Sequence, residues 1–169
     1  VRRSGIIAIR LEDKDELVNT LIVNAGDSVI LTTFDGQSIR FDEDDVRQMG
    51  RTAGGVIGMK LDKTDMIMSA QKIEKGDKKS KLLIITANGY GKMTDLKEYK
   101  IQGRGGSGIK TVKVTEKTGP LVVARVVDDS VSEILAISRQ SQVIKTELSS
   151  IPTLGRDTQG VRVMKMREG

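Results

Sequence analysis

Short apolar runs alternate with polar residues along this chain, and the alternation recurs. SVILTTFDGQSIRF (28–41), KLLIITANGYGKMT (81–94) and EILAISRQSQVIKT (133–146) each show an apolar run, a two-residue polar break and a second run. Period-two alternation rich in β-branched residues predicts paired strands. Asp35-Gly36 and Asn88-Gly89 are type I′ hairpin signals, with Gln140-Ser141 a weaker third. Further strands are predicted at 16–23, 66–73 and 121–127.

A second set of copies interleaves with the hairpins: RRSGIIAIRL from Arg2, GRTAGGVIGMKL from Gly50, GRGGSGIKTVKV from Gly103 and GRDTQGVRVMKM from Gly155. The glycine ending each loop falls at Gly5, Gly55, Gly108 and Gly160, in steps of 50, 53 and 52. Gly103, Gly105 and Gly108 also spell G-x-G-x-x-G, which in a dinucleotide-binding unit needs a following helix. The residues after Gly108 are IKTVKV, alternating at period two with no helical stripe, and the other copies lack the middle glycine. The motif is therefore one repeat's version of a loop between strands. Four strands in each such unit is the pattern of a propeller blade. The expected fold is all-β and propeller-like, one domain over 1–169, with four-stranded repeats at 5–54, 55–107 and 108–159 and a closing strand at 160–169, making a partial ring.

Composition narrows the chemistry. The 169 residues contain no cysteine and no histidine, which removes disulfides, thiolate or imidazole zinc sites, and Cys or His nucleophiles. Carboxylate, lysine or hydroxyl chemistry remains, or none. There is no apolar run of the roughly 18 residues that suggest a membrane span, and no leader pattern, so a cytoplasmic location is expected. Val1 is not an initiator, and the sequence reads as a piece of a longer chain.

The net charge is +5, unevenly spread: residues 1–73 hold 10 Lys+Arg against 12 Asp+Glu, 74–117 hold 11 against 5, and 118–169 hold 7 against 6. A basic middle on a neutral body suits a polyanionic partner. Arg51, Arg104 and Arg156 stand beside the first glycine of their loops. Arg10, Lys60, Lys113 and Lys165 recur at one place in the following strand, flanked by apolar residues, which turns them away from the core. Lys110, Arg162 and the basic residues of the second hairpin runs, Arg40, Lys92 and Lys145, complete the candidate contacts. Only Phe34, Phe41, Tyr90 and Tyr99 are aromatic, too few for the stacking platforms that hold single strands. With no recognition helix either, duplex DNA held by its phosphates on a curved basic surface is the expected partner. A propeller scaffold for protein partners is the other reading; there the cations only keep the surface soluble.

The segments IIAIRLEDKDELV, VRQMGRTAGGVIGMKL, ANGYGK, IKTVKVTEKTGPLVVARVVDD and GRDTQGVRVMKM, in this order and spacing, resemble the C-terminal domain of the gyrase A protein of bacteria across essentially the whole chain, most of all its later blades. The resemblance implies a β-pinwheel, a propeller relative with strands exchanged between blades, that wraps duplex DNA around its rim in support of ATP-dependent negative supercoiling by a type II topoisomerase. It implies ATP and magnesium for the parent enzyme only, and no catalytic residue here, since the family's catalytic tyrosine lies in another domain. The implied partners are the N-terminal breakage-reunion domain of the same gyrase A protein and the gyrase B protein. The family's box, Q-R-R-G-G-K-G, belongs to its first blade; Gln102–Gly108 agrees with it at five of seven positions, with Gly103 and Ser107 where the box is basic. The C-terminal domain of the related decatenating topoisomerase is the neighbouring alternative.

Overall fold

The computed structural model describes residues 5–165; the last four residues of the closing strand expected at 160–169 lie outside the described residues. Ten strands form the frame. The first hairpin is β1 (Ser28–Thr33) and β2 (Gln37–Asp42), the second β4 (Lys81–Thr86) and β5 (Tyr90–Asp95), the third β8 (Glu133–Ile137) and β9 (Val143–Glu147). Between them run β3 (Ile67–Ile73), β6 (Ile109–Lys110) and β7 (Leu121–Val127), and β10 (Val161–Arg162) follows the third. Among the described residues the only helical pieces are three-residue 3-10 turns at Glu43–Asp45, Leu96–Glu98 and Leu148–Ser150, one after each hairpin. The first of them, Glu43–Asp45, is wholly acidic and follows Asp42 at the end of β2.

Two antiparallel four-stranded sheets result, β3-β1-β2-β6 and β10-β5-β4-β7, with β8-β9 standing as a pair. The fourth strand in each sheet comes from the loop copy that follows the next hairpin. Thus β6 leaves the second hairpin and pairs back on β2, with Ser38 opposite Ile109, and β10 leaves the third and pairs on β5, with Gly91 opposite Val161. Ser38 and Gly91 each lie two places after the glycine at their hairpin tip.

The tips differ from the type I′ expectation. Gly36 N–H closes on Thr33 O at 3.1 Å and Gly89 N–H on Thr86 O at 2.9 Å, while positive φ falls on Gly36 and Gly89 and not on Asp35 or Asn88. This is the longer hairpin connection that ends in a left-handed residue. It frees the glycine carbonyl for the exchanged strand: Gly36 O accepts from Thr111 and Val112 N–H, Gly89 O from Val163 and Met164 N–H. Ser141 takes the third tip at φ 61°, where a Cβ is disfavoured, in keeping with its weaker sequence signal.

The core lies between sheets. Ile30 and Ile73 of the first sheet meet Leu82, Ile84, Leu121 and Ala124 of the second, with Leu96, Tyr99 and Val112 closing the cluster. Leu83 points the other way, joining Met93, Leu148 and Ile151 beneath the third hairpin. The run Leu82–Ile85 reads as continuously apolar because both faces of its strand are covered. The strand expected at 16–23, and those after Gly5 and Gly55, do not form: residues 5–24 and 47–66 are irregular, and Ile7 and Ile22 are 78% and 87% exposed. Among the described residues none of these segments joins either sheet or the third hairpin.

The loop glycines carry two constraints at once. Gly108 (φ +73°) and Gly160 (φ +79°) are left-handed, and a Cβ on either would run into a carbonyl oxygen, that of Ser38 and of Gly91 respectively. Gly55 has φ +79° with open space around it. Gly55→Ala is expected to cost about 1 kcal/mol for conformation alone, whereas Gly108→Ala and Gly160→Ala should each cost about 2–4 kcal/mol because the backbone must also move. Urea midpoints of the three variants measure this, and equal losses would contradict the close approach.

Candidate nucleic-acid interface

Each loop copy lies on the segment that follows the previous glycine. Lys60 N–H donates to Gly106 O at 2.9 Å, Gly105 N–H to Gly58 O at 2.7 Å, and Lys113 N–H to Thr158 O at 3.1 Å. From the hairpin side, Gln102 N–H reaches Arg40 O at 2.7 Å and, one repeat on, Leu154 N–H reaches Met93 O at 2.8 Å. Successive loops are joined in this way along one edge of the sheets.

That edge carries exposed cations. Lys60, Lys113 and Lys165 each follow a buried residue, Met59, Val112 and Met164, and their side chains face solvent as the alternation requires. None of the three is in an ion pair among the described residues. Arg10 occupies the same register and is exposed in the irregular N-terminal stretch. Lys110 and Arg162 sit two places after their glycines; Lys110 Nζ is 3.8 Å from Asp157, and the Arg162 guanidinium donates to Tyr90 Oη at 3.0 Å. Lys117, which the sequence reading passed over, lies 5.3 Å from the Tyr90 ring centre, beside Arg162 at 5.4 Å. Its signal was its place in the basic middle, in the turn leading to β7.

Three of the candidate contacts stand elsewhere. Lys92 is fully buried, and its ammonium donates to Gly155 O (2.6 Å), Arg156 O (2.5 Å) and Thr158 Oγ1 (3.1 Å). It occupies the third position after its tip glycine, where the first hairpin has buried Ile39, so its stem fills core space while its head caps the loop of the next copy. Every donor is occupied and no face meets solvent; it cannot touch a phosphate in this fold. Arg40 is half-buried, donating to Ser28 Oγ at 2.9 Å and to the carbonyls of Leu96 and Tyr99 at 3.4 and 3.3 Å, which ties the first sheet to the turn after the second hairpin. Lys145 is exposed but paired across its hairpin with Glu133 at 2.5 Å.

The loop arginines form a third group. Arg51 and Arg104 are exposed and Arg156 is half-buried, and each directs its guanidinium at main-chain oxygen of the preceding copy. The aromatics give no platform: Phe41, Tyr90 and Tyr99 are buried, and Tyr99 Oη is bonded to Thr111 Oγ1 at 2.6 Å. Among the described residues no group of three or more acidic side chains stands close enough to hold a metal ion, and no helix is long and apolar enough to cross a membrane.

An all-β domain whose propeller-like blades exchange a strand and whose joined loops carry repeated cations is a recognisable class of protein. Within it, the model of the DNA gyrase C-terminal domain, beta-propeller, matches residues 1–24, 27–74, 80–128 and 132–169, and the chain belongs to that family. It is 42% identical over 170 residues to the DNA gyrase A protein of Mycobacterium tuberculosis (strain ATCC 25618 / H37Rv), covering 99% of this chain and 20% of that protein. The solved structure of a DNA gyrase A C-terminal domain superimposes with a TM-score of 0.87 at 31% identity, over 98% of this chain and 55% of that one. The C-terminal domain of DNA topoisomerase IV follows at 0.85 and 25% identity, over 94% and 48%. The chain spans about a fifth of the length of the curated relatives it matches.

Burial pushes the Lys92 ammonium down to about 8, against the opposing pull of Glu98 and Asp157 and with the help of Arg156. The fold thus holds this proton less tightly than the unfolded chain, so unfolding takes up a proton between about 8 and the ordinary lysine range, and stability rises with pH there. The urea midpoint is expected to climb from pH 7.5 to 9.5 more steeply in the wild-type chain than in Lys92→Met; parallel curves would contradict the burial of a charged head.

Proposed function

We propose that this chain binds duplex DNA without sequence preference and bends it along its loop edge, as the C-terminal domain of a gyrase A protein. The observation that carries the reading is the recurrence of solvent-facing Lys60, Lys113 and Lys165 at one register of consecutive, mutually bonded loops, with Lys110 and Arg162 beside them. Phosphates are the target because the edge offers point charges and no exposed aromatic surface. A curved row of cations lowers the cost of bending by neutralising the inner face of the duplex, and preference among sequences then comes from deformability alone. Lys92, Arg40 and the ion-paired Lys145 are left out of the contact set.

In the parent enzyme such a domain feeds bent DNA to an ATP-dependent type II topoisomerase that introduces negative supercoils, working in the cytoplasm beside its own breakage-reunion domain and the gyrase B protein. This segment supplies positioning and no chemistry. Identity favours gyrase over its decatenating relative, 31% against 25% in the two solved domains.

Changing Lys60, Lys110, Lys113, Arg162 and Lys165 to Ala is expected to weaken binding to all duplexes alike and to flatten the salt dependence, each lost phosphate contact removing about 0.9 from the slope of log K against log salt. Titration at several salt concentrations measures it. A wild-type slope in the folded variant, or wild-type binding that salt hardly alters, would transfer the chain to the protein-scaffold reading.

A further inference from the structure

The three loop arginines make the same bond one repeat apart. Arg51 Nη1 donates to Ile7 O at 3.3 Å, Arg104 Nη1 to Ile57 O at 3.2 Å, and Arg156 Nη1 to Lys110 O at 3.0 Å. Ile7, Ile57 and Lys110 each lie two places after the glycine of the preceding copy. Two of the three also meet the last residue of the preceding 3-10 turn: Arg104 Nε donates to Asp45 O at 2.8 Å, while Arg156 reaches the Glu98 carboxylate through its backbone N–H at 3.2 Å, its Nε lying 3.9 Å from that carboxylate without a hydrogen bond. Arg104 thus holds two main-chain acceptors with the planar fork of its guanidinium, which a lysine cannot reproduce, while Arg51 and Arg156 each hold one through Nη1.

We infer that Arg51, Arg104 and Arg156 are positioning residues that staple each blade's loop to the one before it and so set the angle between blades, and with it the bend imposed on DNA, while the phosphates are held by the neighbouring lysines. Arg156 shows the span: its loop leads into β10 on the second sheet, and its acceptor Lys110 is in β6 on the first. The exchanged strands are only two residues long, so the ladder alone leaves the loops weakly fixed in relation to one another. With the staples in place, the step between Lys60, Lys113 and Lys165 is fixed before DNA arrives. The inference rests on the DNA-bending reading for its consequence, though not for its geometry.

Arg51→Lys, Arg104→Lys and Arg156→Lys together keep every charge and remove the guanidinium bonds to the preceding copy. The chain lacks cysteine, so spin labels at Asp44→Cys and Lys97→Cys, on equivalent 3-10 turns of the two sheets, report the angle between them without DNA. The expected result is a broadened or shifted label distance, a salt slope for duplex binding equal to wild type, and a loss of energy transfer between dyes at the ends of a bound duplex. If the triple variant fails to fold, Arg156→Lys alone is read in the same way. An unchanged label distance overturns the staple, as does wild-type energy transfer in a variant that binds. A flattened slope with the bend intact would make the arginines phosphate ligands and also overturns it. Should the wild-type chain show no salt-dependent DNA binding, the proposed function fails while the label distances still decide the staple.

Discussion

Two backbone contacts hold the arrangement together: Gly108 against the carbonyl of Ser38, and Gly160 against that of Gly91. Because no side chain intervenes, the strand after each glycine comes close enough to the second strand of the previous hairpin to complete a sheet that its own repeat does not own. Everything on the edge depends on that approach. The exchanged strand bonds to the tip glycine, the loop behind it lies on the previous loop, and the lysine five places after the glycine is carried to the solvent side. A propeller-like sheet built this way has no repeat that is complete by itself, as is usual where neighbours supply the missing face.

The same edge sorts cations by their surroundings. A lysine whose stem falls on the core side is drawn inward and spends its donors on carbonyls, as Lys92 does on Gly155 and Arg156. One whose stem falls outward keeps its charge for a partner, as Lys113 does. The loop arginines stand between these cases. Their acceptors are chiefly neutral carbonyls, so the guanidinium is oriented without losing its charge, and the positive potential of the edge survives the structural bond. Counting basic residues per segment therefore overstates the charge that DNA can reach and understates the geometric order behind it.

The hairpins, the all-β class and the glycine-loop repeats were legible in the sequence because each rests on a local pattern: period-two alternation, a turn residue, a recurring glycine. The strands after Gly108 and Gly160 were also legible, but their joining a neighbouring sheet followed only from the family resemblance and not from local pattern, since exchange sets a partner more than 60 residues away for both Ser38–Ile109 and Gly91–Val161. The 16–23 segment has a strand's pattern and no strand's structure, for pattern gives a capacity to pair and not a neighbour. At the candidate interface the register of Lys60, Lys113 and Lys165 came from alternation, whereas the inward turn of Lys92 did not: YGKMTD reads like an exposed edge, and only the packing of the following loop over it closes the position. The carbonyl partners of the arginines carry no sequence signal of their own, because any residue supplies a main-chain oxygen.

The central claim is that the joined loops present one continuous curved row of cations to the outside of a duplex. Hydroxyl-radical footprinting of the chain on a long duplex tests it most directly. A bent duplex lying on such a row meets the protein once per helical turn, so protection should recur about every 10 base pairs over several turns. A single unbroken protected patch, or none at a concentration where binding is complete, would contradict the account.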